Sequence, residues 1–119
     1  EQLRLKQHVL ESLKLYHGGK TAVMCVDYEY LEKNGFTFDD ADFLTSIPRS
    51  LKGVEVGIFA KIKRDEIKFS LRSNEFVNVS EIAAKFGGGG HKRASGVSFK
   101  IPYDEAVEKL LKAIENEIR

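Results

Sequence analysis

Apolar residues recur along this chain with two different periods, and the alternation between them divides it into elements. Leu3, Leu10 and Leu13, together with Leu5, Val9, Leu13 and Tyr16, stand at helical spacing and predict a first helix over residues 2–17, stopped by Gly18-Gly19. Thr21 to Val26 is nearly continuous in apolar residues, as in an interior strand covered on both faces. Two short helices follow: Asp27 caps one over Tyr28 to Lys33, ended by Asn34-Gly35, and Asp39 caps another through Asp40, Phe43, Leu44 and Ile47, closed by Pro48. Val54 to Lys63 and Ile67 to Arg72 both alternate, and the polar turn Arg64-Asp65-Glu66 makes them an antiparallel hairpin. Asn78 and Glu81 mark a helix start, with Val79, Ile82, Ala83 and Phe86 facing inward. Val97, Phe99 and Ile101 set a strand over Gly96 to Ile101, and Val107, Leu110, Leu111, Ile114 and Ile118 set a last helix over Asp104 to Arg119.

A helical crossover joins the first strand to the second, which calls for a parallel pair, and the hairpin adds antiparallel neighbours. The expected fold is therefore α/β, a single domain with a mixed parallel and antiparallel sheet and helices packed on it. The 119 residues have room for one such domain.

Composition narrows the chemistry. The hydrophobic share of 42% and charged share of 31% are those of an ordinary globular protein, and a formal net charge of +1 means that any basic site must be local. The single cysteine, Cys25, lies in an apolar run and reads as a small buried residue. Without an apolar run near 18 residues or a leader-like start, a cytoplasmic, non-membrane protein is expected. The absence of an initiator methionine suggests a processed piece or fragment. Asp39, Asp40 and Asp42 invite a metal, but the helix dipole alone accounts for them, and no histidine pair at ligand spacing or cysteine cluster exists. No metal site is expected within the chain.

The stretch Gly87-Gly88-Gly89-Gly90-His91-Lys92-Arg93 is the least ordinary. Four consecutive glycines disfavour order unless the backbone itself has a task, and close approach to an anion is one. A short helix starting near His91 would add its free N–H groups to the same concavity. Arg72, at a strand end, offers a planar fork for phosphate, Ser73 a hydroxyl, and His91 a ring N–H. Lys68 and Ser70, on the same face as Arg72, read as solvated, and His8 and His17 as surface residues. The other reading of the glycines is a flexible linker or a loop that merely packs the last helix against the sheet.

Gly88-Gly89-Gly90-His91-Lys92-Arg93-Ala94-Ser95-Gly96 resembles the Gly-Gly-Gly-His-x-x-Ala-x-Gly motif of the DHH-associated domain, the C-terminal substrate-binding half of DHH-family phosphoesterases. Ser70-Leu71-Arg72-Ser73 resembles that family's strand-end Ser-x-Arg-Ser. Many relatives carry a second alanine where Ser95 stands. The resemblance covers residues 1–119, with 1–19 as an inter-domain or linker-derived helix, and is nearest the branch that cleaves very short RNA and 3′-phosphoadenosine 5′-phosphate.

It implies that Arg72, Ser73, Gly87, Gly88, Gly89, Gly90, His91 and Arg93 bind substrate, with His91 facing the scissile phosphate. It further implies manganese ions in an N-terminal Asp-His-His domain that this sequence lacks, so the isolated chain is expected to bind and not to hydrolyse. Short RNA or a phosphorylated nucleotide and the N-terminal domain are the expected partners, and a homodimer is left open. So are a cyclic-dinucleotide phosphodiesterase, a single-strand exonuclease and a non-catalytic anion sensor.

Overall fold

The apolar run that begins at Thr21 lies inside a six-stranded sheet of order β1-β2-β3-β4-β6-β5. The computed structural model describes residues 2–118; Glu1 and Arg119, the expected last residue of the C-terminal helix, lie outside the described residues. The elements are α1 (Gln2–Leu10), β1 (Lys14–Tyr16), β2 (Thr21–Asp27), α2 (Tyr28–Lys33), α3 (Ile47–Ser50), β3 (Val56–Ile62), β4 (Ile67–Ser73), α4 (Val79–Ala84), β5 (Gly89–His91), β6 (Ala94–Phe99) and α5 (Tyr103–Glu115). Short 3-10 segments cover His17–Gly19 and Asp39–Leu44. β2 and β3 pair in parallel across the α2–α3 crossover, and every other neighbouring pair is antiparallel. The mixed α/β sheet is thus as the patterning requires.

Five local expectations are corrected. The first helix ends at Leu10, because the Ser12 hydroxyl donates to Val9 O and accepts from Cys25 N (3.0 Å), turning the chain into edge strand β1 beside β2. Asp39 caps nothing: the residue before the 3-10 segment is Phe38, and the carboxylate that holds the turn is Asp40, accepting from Thr37 N at 2.8 Å. Pro48 begins α3 instead of closing a helix, since its missing N–H costs nothing in a first turn. No helix starts near His91; Gly89–His91 is a strand that pairs back on β6, which begins at Ala94. Cys25 is half-buried, not enclosed.

Two cores lie on opposite faces of the sheet. On one, Ile58, Phe69, Leu71 and Val97 meet Val79 and Ile82 of α4 and Val107, Leu110 and Ile114 of α5. On the other, Met24, Val26 and Phe59 meet Leu5 and Val9 of α1, Leu31 of α2 and Leu44. This second core stops at β3. Beyond it the same face continues over β4, β6 and β5 with Lys68, Ser70, Arg72, Ala94, Gly96, Ser98, Gly89 and His91, and none of these is buried. One half of a sheet face is therefore roofed by helices, and the other half is open and polar.

The loop from β4 to α4 holds the open half in shape. The Arg93 guanidinium donates to Val77 O (2.6 Å), Glu75 O (2.5 Å) and the Ser73 hydroxyl (3.3 Å). From the other side the buried Glu55 carboxylate accepts from the N–H groups of Glu75, Phe76 and Val77, the last at 2.9 Å. The buried Ser73 hydroxyl donates to Val77 O at 2.6 Å, and the β5–β6 turn bonds the loop through Val79 N to Lys92 O (2.9 Å).

Two outcomes follow from these contacts. Truncating Arg93 to Ala leaves loop carbonyls without donors and is expected to cost about 1–3 kcal/mol in urea denaturation. Burial, with the Cys25 side chain adding to it, pushes the Tyr103 phenol above its ordinary value. A phenol harder to ionise when folded contributes stability that is full below about pH 10 and is lost as pH rises toward the folded value, because the unfolded chain ionises first. The fall in urea midpoint between pH 8.5 and 10.5 is therefore expected to be smaller for Tyr103→Phe than for the wild type.

Candidate functional site

The open half-face is built from residues with no side chain to spare. In register, Gly57 on β3, Arg72 on β4, Ala94 on β6 and His91 on β5 form one row across the sheet. Partners in a row point to the same face, so Arg72 and His91 stand on one side with Ala94 between them, about 10 Å apart at the backbone. The next row is Ser70, Gly96 and Gly89, and the one after it joins Lys68 to Ser98. Strand alternation puts Lys68, Ser70 and Arg72 on this face for the same reason that it buries Phe69 and Leu71 on the other.

Arg72 is half-buried, and among the described residues its guanidinium has neither a carboxylate nor a hydrogen-bond acceptor. Arg93 shows what a structural arginine looks like in the same fold, with three acceptors around it. A planar cation held at a strand end without a partner is poised for an external anion with two oxygens to offer. His91, exposed on edge strand β5, adds ring N–H capacity, and the outer side of an edge strand presents backbone N–H groups that the sheet does not use.

The glycines divide by function. Gly87 has φ +87° and closes α4, with its N–H on Ala84 O and the Gly88 N–H on Ala83 O at 2.9 Å. A Cβ on Gly88 would fall 2.2 Å from Gly96 O, and one on Gly90 would fall 2.7 Å from Ala94 O, so both are required by backbone packing in the hairpin. Gly89 is different: its φ is not positive and an added Cβ would meet nothing within 4 Å. The fold has no need of glycine there, yet with Gly96 it keeps the floor beside Arg72 flat.

Ser73 and Arg93 stand apart from this surface. Ser73 is buried on the opposite face and committed to Val77 O, while the Arg93 guanidinium is spent on the loop. The Ser95 hydroxyl likewise donates to Val79 O at 2.7 Å, tying β6 to the start of α4. Alternation around Ser70-Leu71-Arg72-Ser73 separates Arg72 from Ser73, a signal the sequence already carried.

Arg49 was not singled out by its sequence. Its backbone packs over Gly57, where a Cβ would come within 2.3 Å of Arg49 N, so it occupies the row of Arg72 from above, its Nη1 donating to Ser73 O at 3.5 Å. Only the placement of α3 reveals it. The two remaining histidines are half-buried and engaged rather than free on the surface: His17 Nδ1 lies 2.8 Å from Thr21 Oγ1, and His8 stacks on Tyr30 at 3.5 Å between ring centroids.

Among the described residues no three histidine, cysteine or carboxylate groups converge on a point that could hold a metal ion. Asp40 is taken up by Thr37, and Asp42 pairs with Lys61. The donor set does not fit manganese. No helix of the described residues is long and apolar enough to cross a membrane.

The model of the DHHA1 domain matches residues 18–119. The chain is 30% identical over 116 residues to the bifunctional oligoribonuclease and PAP phosphatase NrnA of Thermus thermophilus, covering 97% of this chain and 34% of that protein. It is 29% identical over 113 residues to the protein of the same name in Bacillus subtilis, covering 95% and 35% respectively. Among solved structures, an exopolyphosphatase-related protein from Bacteroides fragilis superposes with a TM-score of 0.87 at 34% identity, over 97% of this chain and 34% of the other. The chain thus spans about a third of the length of the curated relatives it matches. With the family's model matching from the β1–β2 turn to the C-terminus, this chain belongs to the DHHA1 domain family.

Proposed function

We propose that this domain holds the phosphates of a short oligoribonucleotide, or of 3′-phosphoadenosine 5′-phosphate, for a phosphoesterase of the DHH family. The observation that carries the reading is the half-buried guanidinium of Arg72, without a partner among the described residues and in one row with His91, beside a floor left bare at Gly89 and Gly96. The relatives named as oligoribonuclease and PAP phosphatase support the substrate class.

In this reading the Arg72 fork takes two oxygens of one phosphate and His91 donates a ring N–H toward the phosphate to be cleaved. N–H groups along the outer side of β5 complete the cradle, and Gly89 lets the substrate lie against the backbone. Hydrolysis by manganese ions belongs, on this proposal, to a DHH domain supplied in addition to this chain, in keeping with the finding that no three histidine, cysteine or carboxylate groups converge among the described residues. The chain by itself positions and does not cleave.

Titrating the 119-residue chain with 3′-phosphoadenosine 5′-phosphate by calorimetry tests this. Arg72→Ala is expected to weaken binding on the order of tenfold or more, the scale of a lost charge-assisted pair. Gly89→Ala is expected to weaken it while leaving the urea midpoint unchanged or slightly raised, whereas Gly88→Ala lowers the midpoint. Wild-type affinity in both Arg72→Ala and Gly89→Ala would remove the basis of the proposal.

A further inference from the structure

The sheet has two edges, β5 beside the open face and β1 at the far end. The direction in which β1 offers its backbone follows from its neighbour. Cys25 N donates to Ser12 Oγ at 3.0 Å, so Cys25 turns its peptide groups toward the β1 side, and strand alternation turns those of Val23 and Thr21 the same way. The register partners of Val23 and Thr21 are Lys14 and Tyr16. Leu15, between them, therefore aims its N–H and C=O outward, away from β2.

The two faces of this edge differ. Leu15 lies opposite Ala22 on the face that carries α1, and it is 56% exposed. On the same face α1 exposes Leu3 and Leu10 along one shallow groove. Three of the four exposed large apolar side chains among the described residues are thus on α1 and β1, the fourth being Phe43. On the other face Lys14 and Tyr16 border a cavity of about 590 Å³ closed by Tyr103, Val107 and Leu111. Asp104 and Glu108, one turn apart on α5, line it too; both are exposed, and neither has a cation partner among the described residues.

A three-residue edge strand carrying a lysine is a common guard against strand pairing. Here the guard is complementary to itself. An antiparallel two-fold centred on Leu15 makes it a hydrogen-bonded pair with the partner's Leu15, exchanging both N–H···O bonds, and lays the two exposed leucines against each other. The same two-fold sets each Lys14 opposite the partner's Tyr16, at the mouth of the cavity that carries two carboxylates. The two lysines then stand diagonally, about 8 Å apart, with a pair of carboxylates on either side. An unrelated extended peptide would gain the two bonds at Leu15, whereas a copy of the chain supplies every matched pair twice.

We propose that β1 is the docking edge for a second copy of this chain, joining two six-stranded sheets edge to edge in a reversible homodimer. Leu15 closes the axis, and Lys14 of each copy answers Asp104 and Glu108 of the other. The contact is small, so the dimer is weak and depends on concentration. Arg72 and His91 lie toward the opposite edge, which leaves both open faces free, and the pairing does not depend on what those faces bind.

Sedimentation equilibrium on the 119-residue chain tests this. The mass is expected to rise with concentration from that of one chain toward that of two. Leu15→Glu, which sets like charges on the axis, is expected to remain monomeric throughout with an unchanged melting curve. Lys14→Glu, and separately the double variant Asp104→Lys with Glu108→Lys, are each expected to weaken the dimer on the order of tenfold. An equimolar mixture of these last two proteins is expected to regain wild-type association, because each then meets opposite charge on the other. A role confined to one chain cannot produce that rescue. A single-chain mass at every concentration, wild-type dimerisation by Leu15→Glu, or a mixture no tighter than its components overturns the proposal.

Discussion

The open half of the sheet depends on one arrangement, the loop between β4 and α4 held by opposite charges on its two sides. Arg93 takes its carbonyls and Glu55 takes its N–H groups, with no ion pair between the two residues. Each buried or half-buried charge is therefore satisfied by peptide dipoles, which is the condition under which burying it is tolerable. The consequence reaches beyond the loop. Because the end of β4, the β5–β6 turn and the first turn of α4 all bond to it, the positions of Arg72 and of the glycine hairpin are fixed relative to each other. The arginines of the two motifs, Arg72 and Arg93, thus have separate tasks: Arg93 is consumed by the scaffold, while Arg72 has no partner among the described residues.

A sheet that roofs only half of one face has an unusual economy. Over β2 and β3 the apolar side chains of Met24, Val26 and Phe59 call for helices, and α1, α2 and the 3-10 segment supply them. Over β4, β6 and β5 the same face offers glycine, alanine, serine and three basic or imidazole side chains, which give a helix nothing apolar to bury. The boundary between these halves is where a groove lies, with Phe38 at the end of the roof and Gly96 on the bare floor. Open polar surface and hydrophobic core are in this way partitioned along a single sheet instead of between separate elements.

The glycine run shows how a compositional signal can be right about place and wrong about geometry. Entropy argued that four adjacent glycines needed a reason, and the structure gives three different ones: a positive φ at Gly87, close backbone contact at Gly88 and Gly90, and open space at Gly89. A helix start near His91 was excluded by pairing of Gly89–His91 with β6, a contact between strands that local propensity cannot report. The edge strand β1 escaped notice for a related reason. Leu13 and Tyr16 fit the helical phase of Leu5 and Val9, and only the Ser12 hydroxyl, finding Cys25 across the turn, breaks that phase.

What the sequence by itself determined was the class of fold, the β3–β4 hairpin, the cap at Asn78, and the fact that Arg72 shares a face with Lys68 and Ser70, because periods of two and 3.6 residues are local properties of the chain. It also carried the motif by which the family is recognised. Only the tertiary structure decided that His91 joins Arg72 in a row, that Ser73 and Arg93 belong to the scaffold, and that Arg49 and Phe38 border the open face. Those assignments depend on which strands lie side by side and where a crossover helix comes to rest, and both are set by packing between residues far apart in the chain.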